Sequence, residues 1–276
     1  MTIDAHQHFW IHDPIRDTWI TEDMNVIRQD LMPNDLKPLL DKSKITGCVA
    51  VQADQSETET RFLLGLSDQY SYIKGVVGWV DLLSSDINLR LEYFKQFTLF
   101  KGVRHIVHAE PDGFMLDTKF INGVRAVGSK DLTYDILVRE NQLEEAHAMV
   151  KRIPVMGLVI DHIGNPNIEV GHFDHWARYM KQLSQFNHVH VKLSGMVTQA
   201  NHNSWTSADI RPYVDFCLEH FGPARLMFGS DWPVCLLAAD YEQAYQALID
   251  CLIELSNDER SMILGTTAIK FYKLFS

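Results

Sequence analysis

The amino-acid sequence predicts an α/β protein folded as a (β/α)8 barrel. Three observations carry this expectation. Eight short runs rich in Val, Ile and Leu alternate with amphipathic segments along the 276 residues, the pattern of buried parallel strands joined by helices. That length matches one barrel of about 250 residues. No Gly-rich dinucleotide fingerprint follows the first run, which leaves an open doubly wound sheet as the weaker arrangement. No internal repeat, low-complexity tract or linker interrupts the pattern, so residues 1–276 read as one domain.

The first strand is expected at residues 2–6 and runs into His6-Gln7-His8. Side chains alternate along a strand, so His6 and His8 share a face and can grip one metal ion or bind one substrate carbonyl. Residues 9–32 are long for a strand-to-helix connection and hold Trp10, Trp19 and several charges. Over the catalytic end of a barrel such a segment is a lid. Pro33-Asn34 marks a helix start, and the helix covers 35–42. The second strand, 47–53, carries Gln52 near its end and leads to a helix at 57–69. The third, 75–81, leads to a helix at 87–97.

The fourth strand, 102–107, holds Arg104 and His105 and is followed by His108. By parity Arg104 and His108 face one way and His105 the other. Arg104 suits an anionic or polyhydroxy substrate. After a helix at 118–126, the fifth strand, 132–137, offers Tyr134 and Asp135, and a helix follows at 141–151. The sixth strand, 156–162, ends in Asp161-His162 before the turn Gly164-Asn165-Pro166. His162 is either a functional group or a satisfied core histidine. After a helix at 173–186, the seventh strand, 189–194, sets Lys192 among apolar neighbours, on one face with His188, His190 and Ser194. A lysine there needs a carboxylate or carbonyl partner, and serves as ligand, electrostatic stabiliser or substrate anchor. A helix at 207–221 stops at Gly222-Pro223. The eighth strand, 225–229, places Asp231 just beyond a buried run, with Pro233 ending it. An acid there is costly to bury unless paired or reactive; capping the next helix is its plainer role. Helical segments at 241–255 and 258–274 close the chain.

Barrel enzymes carry their chemistry at the C-terminal ends of strands. The His-x-His after strand one, the His after strand six and the Asp after strand eight therefore converge on one mouth. Composition narrows the partners. With 25 Lys and Arg against 36 Asp and Glu, the net charge is −11, which repels phosphate backbones and argues against nucleic acid. No apolar run approaches the ~18–20 residues that span a bilayer, and no basic stretch followed by an apolar run opens the chain. Four scattered cysteines, Cys48, Cys217, Cys235 and Cys251, form no CxxC pair and read as thiols in a reducing compartment, the cytoplasm. Of the 13 histidines, His6, His8 and His162 fall at strand ends. His105, His108 and His190 lie nearby by strand order. The other seven, including His12, His147 and His220, fall in helices or loops.

Five segments taken together carry a family resemblance. They are His6-Gln7-His8-Phe9-Trp10, Lys101-Gly102-Val103-Arg104-His105, Asp161-His162-Ile163-Gly164-Asn165-Pro166, Val191-Lys192-Leu193-Ser194-Gly195 and Met227-Phe228-Gly229-Ser230-Asp231-Trp232-Pro233-Val234. In this order the chain resembles the amidohydrolase superfamily, and within it the sugar lactonases such as L-fuconolactonase and L-rhamnonolactonase; Tyr134-Asp135-Ile136-Leu137-Val138-Arg139 fits that branch. The resemblance implies a single distorted (β/α)8 TIM barrel with a hydrolytic site at its mouth. It matches His6, His8, His162 and Asp231 to the family's metal positions, for one divalent ion, most often zinc; related lactonases work without metal. Leu264-Gly265-Thr266-Thr267-Ala268 stands where the family usually has Gly-Asn-Ala, which bears on a helix start near the barrel bottom.

Opening a lactone requires an activated water, a polarised carbonyl and a stabilised oxyanion. The expectation assigns the water's proton to Asp231. It assigns polarisation to a zinc held by His6 and His8 or, without metal, to these histidines with His162 and Lys192. Arg104, His105 and Gln52 are expected to bind substrate, with Trp10 and Trp232 giving apolar faces to a small-molecule lactone. The alternatives are a metal-dependent decarboxylase of an aromatic or muconate-type acid, and a hydrolase of a pyrone- or muconolactone-type lactone. A non-enzymatic binding barrel is disfavoured by the buried acid–imidazole cluster, and glycosidase action by the lack of a strand-end carboxylate pair.

Overall fold

In the computed structural model, which describes residues 1–275, eight parallel strands lie side by side in chain order. They are β1 (Ile3–Gln7), β2 (Gly47–Val51), β3 (Ile73–Gly78), β4 (Phe100–Ile106), β5 (Thr133–Leu137), β6 (Leu158–Ile160), β7 (Val189–Leu193) and β8 (Leu226–Phe228). Helices α1 (Pro33–Lys42), α2 (Glu57–Gln69), α3 (Ile87–Lys95), α4 (Thr118–Ser129), α5 (Leu143–Val150) and α6 (Phe173–Ser184) connect the first seven strands. Then come α7 (Met196–Gln199), α8 (Ser207–Phe221), α9 (Tyr241–Cys251), α10 (Asn257–Ser261) and α11 (Thr267–Phe271). Side-chain caps fix several starts: Ser56, Asp117 and Asp240 accept backbone N–H groups at the heads of α2, α4 and α9. The sheet is the expected barrel. Its first and last strands meet through a single bridge, Gln7 with Trp232. Two backbone hydrogen bonds support that seam, Asp231 N–H to the His6 carbonyl at 2.8 Å and His8 N–H to the Trp232 carbonyl at 2.7 Å.

The lumen is layered. Ile3, Ala5, Val49, Val51, Val77, Val159 and Met227 fill its lower part, and Ala268, Tyr272 and Leu274 from the C-terminal segment close it from below. Above this apolar plug the inward side chains become polar. In β1 the register against β2 slips by one residue between Asp4 and Gln7. That slip lets Ala5, His6 and His8 all face inward while Gln7 bonds Cys48 on the outer side.

Several expected boundaries move. β6 stops at Ile160, because His162, Ile163 and Asn165 take left-handed backbone angles (φ 52°, 49° and 48°). The short α7 was not anticipated; it follows Gly195, whose φ is 65°. The long C-terminal helix is broken into α10, a π-helical turn at Met262–Thr266, and α11. Gly265 in that turn packs closely on the N-terminus: a Cβ there would stand 2.0 Å from the Met1 carbonyl oxygen. In the stretch that departs from the family pattern, Thr267 Oγ1 donates to the Pro223 carbonyl at 3.2 Å. Among the described residues no helix is long and apolar enough to cross a membrane, and all four cysteines are buried and free.

Candidate active site

At the mouth, four side chains from three strand ends point their functional atoms at one small volume. His6 Nε2 and His8 Nε2 are 3.2 Å apart. Asp231 Oδ1 lies 3.4 Å from His8 Nε2 and 3.8 Å from both His6 Nε2 and His162 Nε2. Local backbone geometry brings them this close. Asp231 sits at φ 58° and His162 at φ 52°, conformations that non-glycine residues rarely take and that cluster at functional sites. Glycines clear the space around them. A Cβ on Gly229 would fall 2.6 Å from the His6 Cβ, and one on Gly195 2.7 Å from His162 Nδ1.

Each imidazole is oriented from behind. His8 Nδ1 lies 2.8 Å from the Val51 carbonyl. A carbonyl only accepts, so Nδ1 carries a proton and the ring turns Nε2 toward the centre. His162 Nδ1 is 2.9 Å from Ser194 Oγ. Burial lowers the pKa of His162. Burial and the Lys192 ammonium hold His6 well below its usual range. Burial resists ionisation of Asp231, but His162 and His8 outweigh it and hold its carboxyl below the ordinary aspartate range. At neutral pH the centre is therefore a carboxylate facing neutral His6 and His162.

Beneath it lies a buried network of opposite charges. Lys192 Nζ is 2.5 Å from Asp135 Oδ2 and 3.0 Å from both Asp161 Oδ1 and His6 Nδ1. Arg104 Nη1 donates to Asp161 Oδ2 at 3.1 Å and lies 3.2 Å from His6 Nε2. Its Nη2 donates to the Gln52 carbonyl and to Gln52 Oε1. Tyr272 OH donates to Asp135 at 2.9 Å. Burial works against Asp161 ionising, yet Lys192, His6 and Arg104 hold it well below the normal range. Burial lifts Asp135 to about 6 despite its lysine. Two cations and two carboxylates in one dry lumen are tolerable because each pairs with the others.

The cluster opens into a cavity of about 350 Å3. His8, His162, Asp231 and Arg104 form its floor, Trp10, Trp19, Ile106 and Leu137 an apolar wall, and His108 and Asn165 a polar one. Residues 9–32 supply the aromatic wall. Trp10 Nε1 donates to the Gln29 carbonyl at 3.0 Å, its backbone pairs with Leu31, and Trp19 meets its ring edge-on at 5.7 Å.

The structure thus brings together His6, His8, His162, Asp231, Arg104 and Trp10. Lys192 and Gln52 lie below and beside the cluster, where they hold His6 and Arg104. His105, Trp232 and Gln52, all expected to touch substrate, do not line the cavity. His105 faces away from Arg104 by strand parity: it stacks on Phe114 at 5.1 Å and pairs with Glu110 at 2.8 Å. Trp232 is buried in the wall against Phe9. Trp19 reaches the cavity from the segment expected to lie over the catalytic end, and Asn165, named in the sequence only as part of the turn after strand six, lines it as well. His108 was legible, because parity set it with Arg104.

The donor set fits a divalent ion. The ligand atoms of His6, His8 and Asp231 all lie within 4.8 Å of one another, as do those of His6, Asp161 and His162. Imidazole nitrogen with carboxylate oxygen is a zinc-type ligand set, and the His8 Nδ1–carbonyl bond is the usual support for such a ligand.

Comparison with known proteins agrees with this geometry. The family model described as amidohydrolase matches residues 3–274. The L-fucono-1,5-lactonase of Burkholderia multivorans is 37% identical over 289 aligned residues, covering 99% of this chain and 96% of that protein. The L-fucono-1,5-lactonase of Burkholderia ambifaria is 34% identical over 277, covering 99% and 95%. A crystal structure of an amidohydrolase from Burkholderia multivorans with bound zinc superposes with a TM-score of 0.95 at 37% identity, covering 99% of each chain. With its barrel, its strand-end histidines and aspartate, and a family match from Ile3 to Leu274, this chain belongs to the amidohydrolase family.

Proposed function

We propose that the protein hydrolyses the lactone of a sugar acid, a small aldonolactone of the L-fucono or L-rhamnono kind. One observation carries the reading: an ionised carboxylate, Asp231, lies among three imidazoles beside the Arg104 guanidinium, at the floor of a cavity of small-molecule size. The curated L-fucono-1,5-lactonases related to the chain support the same substrate class.

The reaction follows from these groups. The lactone ring lies against Trp10 and Trp19 with its carbonyl toward Arg104 and the imidazoles. A water beside Asp231 gives its proton to the carboxylate as its oxygen bonds to the acyl carbon. Arg104 and the imidazole N–H groups stabilise the oxyanion. When the ring C–O bond breaks, the leaving alkoxide takes the proton back from Asp231, which leaves a hydroxy acid. His6, His8, His162 and Asp231 would hold a divalent metal, zinc in keeping with the zinc-bound relative, and it would supply Lewis-acid polarisation of the carbonyl. Lys192 and Asp161 keep His6 fixed, and Gln52 keeps Arg104 fixed. Four buried free thiols suit a reducing, cytoplasmic setting.

A panel of aldonolactones including L-fucono-1,5-lactone, followed with a pH indicator in weak buffer, tests the reading. The expected result is saturable proton release. Carbon dioxide evolution from an aromatic acid, with no lactone opened, would replace it with the decarboxylase reading.

A further inference from the structure

Asp4 is fully buried, lies two residues before His6, and belongs to neither the reactive cluster nor the charge network beneath it. Its carboxylate accepts four hydrogen bonds. Oδ1 takes the Ser230 N–H at 2.9 Å and the His6 N–H at 3.2 Å; Oδ2 takes the Ser230 hydroxyl at 2.6 Å and the Tyr241 hydroxyl at 2.9 Å. Ser230 Oγ in turn accepts the Trp232 N–H at 3.0 Å. Asp231 is therefore flanked by two residues tied, directly or through one hydroxyl, to a single carboxylate on β1. These bonds cross the seam, where the ladder between first and last strands has shrunk to one bridge.

Resting on the reading of Asp231 as the base, we infer that Asp4 is the positioning residue that holds that base in place. The left-handed backbone at Asp231 persists only where its surroundings over-determine it, and the Asp4 bonds to Ser230 are that determination. The same carboxylate holds the His6 amide, so the distance from His6 to Asp231 is set by one rigid group shared between β1 and β8. Tyr241, at the head of α9, anchors it from outside the barrel. An amide at position 4 cannot replace the acid: Nδ2 would face the Ser230 and Tyr241 hydroxyls, and two buried O–H groups would lose their acceptor.

The test uses Asp4→Asn, Ser230→Ala and Tyr241→Phe in the full chain, assayed with L-fucono-1,5-lactone. Small displacements of a catalytic group cost up to about 100-fold. Asp4→Asn and Ser230→Ala should therefore lower kcat by roughly 10–100-fold, with KM within about twofold. Tyr241→Phe keeps its ring and loses one bond, so its kcat should fall less and in the same sense. Adding Ser230→Ala to Asp4→Asn should cost little more, since both break one clamp. Crystal structures of the wild-type and Asp4→Asn proteins give a readout independent of turnover: Asp231 should leave its left-handed conformation or move away from His8 Nε2. Unchanged kcat in both Asp4→Asn and Ser230→Ala overturns the inference, as does a rise in KM alone or an unmoved Asp231. If the wild-type protein opens no lactone, the functional reading fails and the crystal structures alone decide the clamp.

Discussion

The chemistry rests on a few side chains whose protonation is set by neighbours. Asp231 stays ionised because His162 and His8 outweigh its burial, so it is ready to accept a proton without a prior step. On the proposed mechanism, Asp231→Asn keeps the shape and removes the base. Turnover of L-fucono-1,5-lactone should fall by about 10²–10⁴, the usual contribution of general-base catalysis, with the circular dichroism spectrum unchanged; retained turnover would remove Asp231 from the mechanism. Arg104 uses both terminal nitrogens of its planar group, on Asp161 and on Gln52. Lysine keeps the charge and loses the fork. Arg104→Lys should lower kcat by about 10²–10³, as loss of an oxyanion stabiliser does, measured at saturating lactone.

At the level of elements, the loops after the strands decide how the cavity is shaped. The segment after β4 carries His108 into the cavity wall, and His105 secures that segment from the other side. His105 pairs with Glu110, stacks on Phe114 and takes the Trp79 indole N–H on Nδ1 at 3.3 Å. His105→Leu frees the loop and should raise KM about fivefold, the equivalent of one hydrogen bond of about 1 kcal/mol, with kcat little changed. His105→Gln, which keeps a donor for Glu110, should recover part of the loss in the same steady-state assay. The turn between β2 and α2 is tied by Glu59, which accepts the Ala53 N–H at 3.0 Å and the Asp54 N–H at 2.5 Å. Burial raises its pKa from 4.5 to about 8. The folded state thus binds this proton more tightly than the unfolded chain, and stability from this group is present at acid pH and lost as pH rises toward 8. Denaturant titrations at pH 5 and pH 8 should show a smaller decline for Glu59→Gln than for the wild-type protein.

These elements also show what a sequence can and cannot disclose. Eight strands and the convergence of His6, His8, His162 and Asp231 follow from local pattern, because β-branched runs and polar strand ends are contiguous in the chain. The end of β6 does not, because polar residues at a strand end look the same whether the backbone stays extended or turns left-handed at His162. His105 was assigned to substrate although its parity already faced it away from Arg104. The pairing of Lys192 with Asp135 and Asp161 joins residues from separate strands or strand ends across the lumen, and Asp4 finds its partners just past β8 and on α9. Neither leaves a local trace.

On the scale of the whole molecule, the barrel is a stack: an apolar plug below, four buried charges in the middle, the reactive cluster above. Tyr272 joins the lower two layers, since its ring is part of the plug and its hydroxyl donates to Asp135. Tyr272→Phe leaves Asp135 with Lys192 as its remaining partner. Loss of a hydrogen bond to a charged group costs about 1.5–3 kcal/mol. At roughly 2–4 °C per kcal/mol for a protein approaching this size, the thermal midpoint should drop by several degrees, as read by scanning calorimetry.

The seam has a consequence for how the enzyme comes into being. His6 and His8 belong to the first strand of the barrel and its end, while Asp231 and the Tyr272 that closes the floor follow its last strand, so synthesis supplies the two histidines well before their partners. Until β8 docks against β1 there is no reactive centre, only two histidines at an open sheet edge. On the reading of Asp231 as the base, a protein clipped before β8, however much of its sheet has formed, holds half a site and is expected to turn over nothing.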